Sequence, residues 1–500
     1  MKESFFQGAV VLAIGSLIAK VLGFTYRIYV VRLVGSEGIG LYELVFPLIT
    51  LVLVLTTAGI PVALANTIAR LKGQEEYYLI TIVIRFSLYI LLITGIIFPV
   101  IMLYFAPWLL PKIYADPRSY WPFMALLPVI FFVSISSVFR GYFQGISFML
   151  PNALAQLSEQ LVRFAFGLIL IAWLLPYGIE FGAVGLALAV VIGEIAGLIV
   201  LLYFYFRTTL KLKPKPTTVL KSQTSLVLIL QQLMFLALPI TMSRIVSSVS
   251  LSLKAIIIPN RLQAAGSTLQ QATQAYGAYS GIALSLISFP NVLTGALGAV
   301  LLPTVAMATI KNEHFELQRR VNQGIKLTVL VALPFTVWFF LLPEYLTVTI
   351  FHNYEAAILL KLLAPSCIFI YLQQTTGGIL LGLGKMKTIL LNSALGNLFG
   401  LAVTYVLVGS PILKIKGAVI GLSLGVTIIC LLNLKVVFKH TKTQLKIADW
   451  LRPFTIATLF MILFIQCFSN QLSVYFIILT SGLIYLLVII LLQGLSKKDL

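Results

Sequence analysis

Apolar residues fill most of the chain in blocks of roughly 20 or more, parted by short polar stretches. A helix needs about 20 such residues to cross a hydrocarbon core about 30 Å thick. The blocks predict helices at residues 6–31, 41–66, 77–105, 121–144, 153–175, 182–206, 226–252, 276–309, 322–350, 357–383, 388–409, 415–438, 450–468 and 472–493. The alternating segments of about ten residues that mark a membrane β-barrel are missing. The expected fold is all-α and polytopic, with about 14 transmembrane helices and connections too short for a separate soluble domain.

The pattern also repeats. "GYFQGISFMLPNALAQL" (residues 141–157) echoes "GILLGLGKMKTILLNSALGNL" (378–398), and "GAVGLAL" (182–188) echoes "GAVIGLSL" (417–424), at offsets of 237 and 235 residues. Two echoes at nearly one spacing predict duplication of a six-helix unit. The expected organisation is an N-lobe at 1–206, a basic linker at 207–225, a C-lobe at 226–440, and two further helices with a short tail at 441–500. Repeats with an even number of helices share one orientation, so their pseudo-two-fold axis should lie along the membrane normal. A cleft between two such lobes opens to either side as they rock.

Composition agrees with a membrane chain. Of 500 residues, 60% are hydrophobic and 10% charged, with mean hydropathy +1.04; soluble domains carry about 25% charged residues. The net charge of +20 has no soluble domain to serve, which argues against nucleic acid as a partner. It orients the protein instead. Twenty-one Lys and Arg fall in one set of loops and ends and seven in the opposite set. The excess belongs in the cytoplasm, which predicts a multi-pass protein of the cell membrane with both termini cytoplasmic. Lys2 followed by an apolar run looks like a signal peptide. No small-residue cleavage site follows, so the run is read as a retained first helix.

Catalytic chemistry is not indicated. Cys367, Cys430 and Cys467 are far apart and lack metal spacing, as do His314, His352 and His440. No nucleophile–base constellation and no GxxxxGK[ST] phosphate loop occurs, so neither an enzyme nor a nucleotide user is expected. No metal or other cofactor is predicted; coupling to H⁺ or Na⁺ stays open.

The informative residues are charges inside the spans. Each costs about 2.5–3.5 kcal/mol at mid-membrane on insertion scales. Lys20 and Arg27 lie seven residues apart on one face of the first helix, Lys20 about 21 Å beyond Phe6 at a rise of 1.5 Å per residue. Gly23 beside them admits a close neighbour. Glu159 and Arg163 are spaced i,i+4, either as an intrahelical ion pair or as a partner-sensitive switch. Arg140 ends the fourth helix near the cytoplasmic mouth. Arg244 is the second lobe's nearest counterpart to Lys20, Glu194 is a candidate partner for these cations, and Glu43 is a gate or a plain rim residue. Asp116, Asp449 and Asp499 all sit in loops or near ends, which disfavours an aspartate-based cation site. The expected potential is positive and suits an anionic substrate.

The stretches "IAKVLGFTYRIYVVRLVGSEGIGLYELVFPL", "SISSVFRGYFQG", "LSEQLVRF", "LPYGIEFGAVG" and "RLQAAGSTLQQATQAYGAYSGIALSLISFPNVLTGALGAVLLPTVA" carry a resemblance over nearly the whole chain. They resemble the polysaccharide-transporter branch of the multidrug/oligosaccharidyl-lipid/polysaccharide exporter superfamily, above all its sporulation and lipid II-flippase members. The resemblance implies two six-helix bundles, often with two extra helices, that move a lipid-linked oligosaccharide by alternating access. The implied cargo is an undecaprenyl-pyrophosphate-linked saccharide, such as a peptidoglycan precursor or polysaccharide unit, in cell-wall or spore-cortex synthesis. The implied protein is a monomer with cell-wall synthesis enzymes as expected neighbours. Lipid II flippases place a basic residue just before Val-Leu-Gly in the first helix, which here is Lys20. Their second cation comes one residue earlier than Arg27, and Lys in place of the commoner Arg gives up bidentate phosphate binding. Lys20, Arg27, Arg140, Arg163 and Arg244 are thus the expected headgroup contacts, and Glu43, Glu159 and Glu194 the expected coupling or gating acids. The rival readings are a cation-coupled multidrug exporter of the same superfamily, which needs an acidic cavity, and a membrane glycosyltransferase or ligase, which needs clustered acids at a long outer loop.

Overall fold

The computed structural model describes residues 5–209, 226–442, 447–469 and 471–494. Most of the expected linker, residues 210–225, and the chain ends at 1–4 and 495–500 lie outside the described residues. The chain forms two compact units: residues 1–263 with 268–277, and residues 264–267 with 278–500.

The first unit begins with α1, Phe5–Thr57, which breaks at Gly35 (φ 67°, ψ −175°). That left-handed φ is open to glycine, which has no Cβ to clash. The break is a reversal. Arg27 before it is ion-paired with Glu43 after it, whereas 16 residues of unbroken helix would hold the two about 24 Å apart. The remaining helices of this unit are α2 (Ile60–Gly73), α3 (Tyr77–Ile113), α4 (Tyr120–Gly145), α5 (Leu150–Leu174), α6 (Ile179–Thr209), α7 (Leu226–Ala264) and α8 (Leu269–Tyr276). Compactness groups α7 with this unit, where Ala237 joins the core of Leu64, Val83, Val138, Phe143 and Leu201.

The second unit holds α9 (Leu284–Ser288), α10 (Asn291–Ile310), α11 (His314–Leu341), α12 (Glu355–Leu363), α13 (Cys367–Gly382), α14 (Met386–Val408), α15 (Ile415–Thr441), α16 (Ile447–Phe468) and α17 (Val474–Leu491). The last two pack into its core with Val321, Ile379 and Cys430. Trp338 donates to Ser481 Oγ at 3.0 Å and Tyr485 to the Leu330 carbonyl at 3.2 Å, which satisfies both polar tips.

Thirteen segments among the described residues are long and apolar enough to cross a membrane. The first, Val11–Gly73, has 63 residues and turns back at Gly35, so it crosses twice. No strand occurs among the described residues. Large exposed side chains such as Trp108, Trp121, Trp173 and Tyr177 gather at helix ends of the first unit, as interfacial aromatics do. The chain is a multi-pass helical membrane protein. The structure corrects two expected spans. Residues 276–309 do not form one helix: a π-helical segment, Gly277–Ala283, precedes α9, and Pro290, which has no N–H, separates α9 from α10. Residues 322–350 divide at Pro343 into α11, which starts earlier at His314, and a π turn at Tyr345–Thr349.

The sequence echo has a packing counterpart. A Cβ on Gly141 or Gly145 of α4 would lie under 3.0 Å from the carbonyls of Pro61 and Ala65 on α2. A Cβ on Gly378 or Gly382 of α13 would meet the carbonyls of Gly298 and Leu302 on α10 in the same way. Both glycines and both carbonyls are displaced by 237 residues. Lipid is as apolar as leucine, so helices in a membrane gain by close approach and dispersion, and small-xxx-small faces provide it. The duplicated trait is therefore a helix-to-helix contact, not merely a shared turn.

Candidate functional site

The reversal at Gly35 lays both limbs of α1 beside α4, α5 and α6. Between them lies a cavity of about 500 Å³, wholly within the first unit. Its size falls within the usual range for small-molecule sites, roughly 300–1,000 Å³. Val30, Ile39, Leu186 and Val190 give it apolar lining, and most of the other lining side chains are polar or charged. Lys20, Arg27, Arg140 and Arg163 all reach it. Helical spacing explains the convergence. Ser16, Lys20, Gly23 and Arg27 are offset by four, three and four residues on α1; Gln156, Glu159, Gln160 and Arg163 by three, one and three on α5. Each set forms one stripe, and the stripes face each other: Ser16 Oγ donates to Gln156 Oε1 at 2.8 Å, and Gly23 leaves room for Gln160.

Three of the four cations have acidic partners. Arg27 pairs with Glu43, which is nearly buried on the second limb of α1. Arg140 pairs with Glu159 and approaches Glu194 of α6 at 3.8 Å. Arg163 lies 3.6 Å from Glu194. Glu159 and Arg163 thus reach across to other helices rather than pairing along α5, which corrects the intrahelical reading of their i,i+4 spacing. The pairing is incomplete. The Arg163–Glu194 separation exceeds hydrogen-bonding range, and Arg163 Nε and the Tyr26 hydroxyl are buried without a hydrogen-bond partner. Lys20 is exposed and has no ion pair among the described residues. Four cations therefore meet three carboxylates, an excess smaller than the sequence alone suggested but of the expected sign.

Arg244 stands apart. It is exposed on α7 and does not line this cavity. Glu43 is a buried partner of Arg27 rather than a rim residue. Sequence reasoning passed over Ser16, Tyr26, Tyr42, Gln156 and Gln160, all of which line the cavity. The two stripes would have revealed the serine and both glutamines, since each shares a helical face with the charges. Tyr26 and Tyr42 gave no such signal, because aromatics abound in every span. Among the described residues no group of three or more His, Cys, Asp or Glu is placed to hold a metal ion.

Residues 5–309 match a family described as polysaccharide biosynthesis protein. Stage V sporulation protein B of Bacillus subtilis (strain 168) is 30% identical over 456 residues, covering 91% of this chain and 88% of that protein. The lipid II flippase MurJ of the same organism is 26% identical over 474 residues, covering 89% and 85%. Among solved structures, the inward-facing conformation of a multidrug resistance MATE family transporter of the MOP superfamily superposes with a TM-score of 0.69 at 17% identity, over 87% of this chain and 98% of the other. That likeness speaks for the fold alone. Matched over well more than half its length, and aligned almost end to end with a relative at 30% identity, the chain belongs to the polysaccharide biosynthesis protein family.

Proposed function

We propose that this protein is an alternating-access flippase that moves an undecaprenyl-pyrophosphate-linked saccharide across the cytoplasmic membrane, and that the first unit's cavity receives the anionic headgroup. The observation that carries the reading is the unfilled donor capacity at membrane depth: Lys20 without an acidic partner, and Arg163 with a buried Nε unbonded and its nearest carboxylate at 3.6 Å. Buried polar groups are ordinarily satisfied. Donors left open beside a cavity are suited to phosphate oxygens, which accept several charge-assisted hydrogen bonds at once.

The acids supply the return step. Glu43, Glu159 and Glu194 hold Arg27, Arg140 and Arg163 while no phosphate is near, so the cations keep a partner throughout the cycle. Binding exchanges carboxylate for phosphate, and release reverses it. The same acids are the gating or ion-coupling groups of this reading, with H⁺ or Na⁺ as the ion. The apolar tail stays in lipid while the headgroup crosses. The names of the flippase and sporulation relatives agree with this cargo, and the excess of Lys and Arg in one set of loops supports cytoplasmic termini.

The test is transport of labelled lipid-linked saccharide by the protein reconstituted in liposomes. Lys20→Ala removes one charge-assisted bond worth about 1.5–3 kcal/mol, which is about 10- to 150-fold in rate. The variant should insert and melt like the parent protein. Transport at the parent rate would remove the cavity from the mechanism.

A further inference from the structure

The helix α8 lies in a revealing place along the chain. Residues 264–267 before it and 278–500 after it belong to the second unit, yet α8 itself, within 268–277, belongs to the first. It docks on the turn of α1. Thr273 Oγ1 donates to Asp116 Oδ2 at 2.7 Å, and Gln270 Nε2 donates to Glu37 Oε2 at 2.8 Å. The backbones meet where side chains are lacking. A Cβ on Gly40 would strike the Thr273 carbonyl, and a Cβ on Gly277 would strike the Ser36 carbonyl. A docking face cut to fit at two glycines, in segments more than 230 residues apart, is a specific contact.

Three features make the contact releasable. First, α8 has only eight residues, with a capping box from Thr268 and Gln271. The box satisfies the start of the helix from within the segment itself, so undocking leaves that end capped. Second, the buried Asp116 does not depend on α8. Its carboxylate already accepts the backbone N, Nε and Nη2 of Arg118, at 3.0, 3.1 and 2.9 Å. Withdrawal of Thr273 leaves the aspartate ion-paired, so undocking strands no buried charge. Third, α8 runs straight into the π-helical segment Gly277–Ala283. Such segments interrupt the i→i−4 ladder and are among the places where helices kink.

The dock is also wired to the cavity. Glu37 and Gly40 lie on the second limb of α1, and Glu43, which pairs with Arg27, follows Gly40 by one helical turn. Whatever shifts that limb moves the seat of α8. We propose that residues 268–277 are a latch: docked on the α1 turn in one state of the protein and released in another, with the π segment as its hinge and the Arg27–Glu43 pair as the contact that reports cavity occupancy to it.

The test uses the full chain in membranes with Glu37→Cys and Gln270→Cys. A reducible bifunctional thiol reagent that spans the two positions should link them, lower transport of lipid-linked saccharide at least tenfold, and release it again with reductant. Full transport by the linked protein would overturn the latch. A second arm needs no cargo and so stands apart from the flippase reading. In an Ala272→Cys protein, whose new thiol is buried while α8 is docked, added Thr273→Val should raise the rate of labelling by a polar maleimide roughly threefold or more, because it removes one of the two side-chain hydrogen bonds that hold α8. An unchanged labelling rate would mean that α8 does not leave its seat, whatever the protein carries. Should Thr273→Val disturb folding, Ala272→Cys alone supplies the measure: inorganic pyrophosphate should change its labelling rate in the otherwise unaltered protein and leave it unchanged with Arg27→Ala, and equal rates throughout would again overturn the latch.

Discussion

Two arginine–carboxylate clusters lie in the first unit, and they are built to opposite standards. At the α1 turn, Arg118 spends its Nε and Nη2 on Asp116 and its Nη1 on Glu37 at 2.7 Å, while the fully buried Asp116 takes a further bond from Thr273. In the cavity, Arg140 is shared between Glu159 and a distant Glu194, and Arg163 reaches Glu194 only at 3.6 Å with its Nε unbonded. Charge counting alone does not separate the clusters, since each has carboxylates beside its arginines. Hydrogen-bond accounting does. The first cluster is closed: every charged group in it has a partner within hydrogen-bonding range; the second is open toward a cavity and keeps donors to spare. The stability of the α1 turn should therefore reside in the first and headgroup binding in the second.

The most severe test of that division is Arg118→Ala. It leaves the buried Asp116 carboxylate with only hydrogen bonds from Thr273 and the backbone N–H of residue 118 and no cation beside it, and stranding a buried charge costs about 3–5 kcal/mol. Arg118 is partly open to water, so about 3 kcal/mol is expected, read from unfolding midpoints in mild detergent. A loss under about 1 kcal/mol would mean that the closed cluster does not hold the turn. The next test, Arg163→Lys, keeps the charge and loses the planar fork. Transport should fall about tenfold, close to 1.4 kcal/mol, with the unfolding midpoint unmoved. An equal loss of stability would make Arg163 a structural residue and erase the contrast.

The sequence showed some of this and hid the rest for physical reasons. Spans were legible because the cost of exposing backbone in lipid enforces long apolar runs. The turn near Gly35 was legible because "VGSEG" interrupts such a run. Lys20, Arg27, Arg140 and Arg163 were legible because a charge within an apolar run is conspicuous, and the cavity brings all four together. Their pairing was not. The i,i+4 spacing of Glu159 and Arg163 favours a local bond, whereas tertiary packing offers each a partner on another helix. The closed cluster was hidden altogether, since Glu37, Asp116, Arg118, Gln270 and Thr273 come from three separate stretches and none stands out where it occurs. The discontinuity at 277–290 was missed because its composition stays apolar throughout, and a π segment changes hydrogen bonding without changing hydropathy.

The mildest variant sharpens the boundary of the open cluster. Arg244 resembles Lys20 in the sequence: both are cations on a serine-flanked apolar helix. In the structure it is exposed on α7 and does not line the cavity, whereas Lys20 does. If headgroup binding is confined to donors that face the cavity, Arg244→Ala acts only through long-range field, which exposed charges lose to screening within about 8 Å at physiological salt. Transport should then fall by no more than about twofold, and the fall should vanish as salt is raised, while the deficit of Lys20→Ala should persist at high salt because its bond to phosphate is made at contact. A loss at Arg244 as large as that at Lys20, and insensitive to salt, would show that the headgroup site extends to α7 and that exposure in one structure is a poor guide to which cations the cargo meets as it crosses.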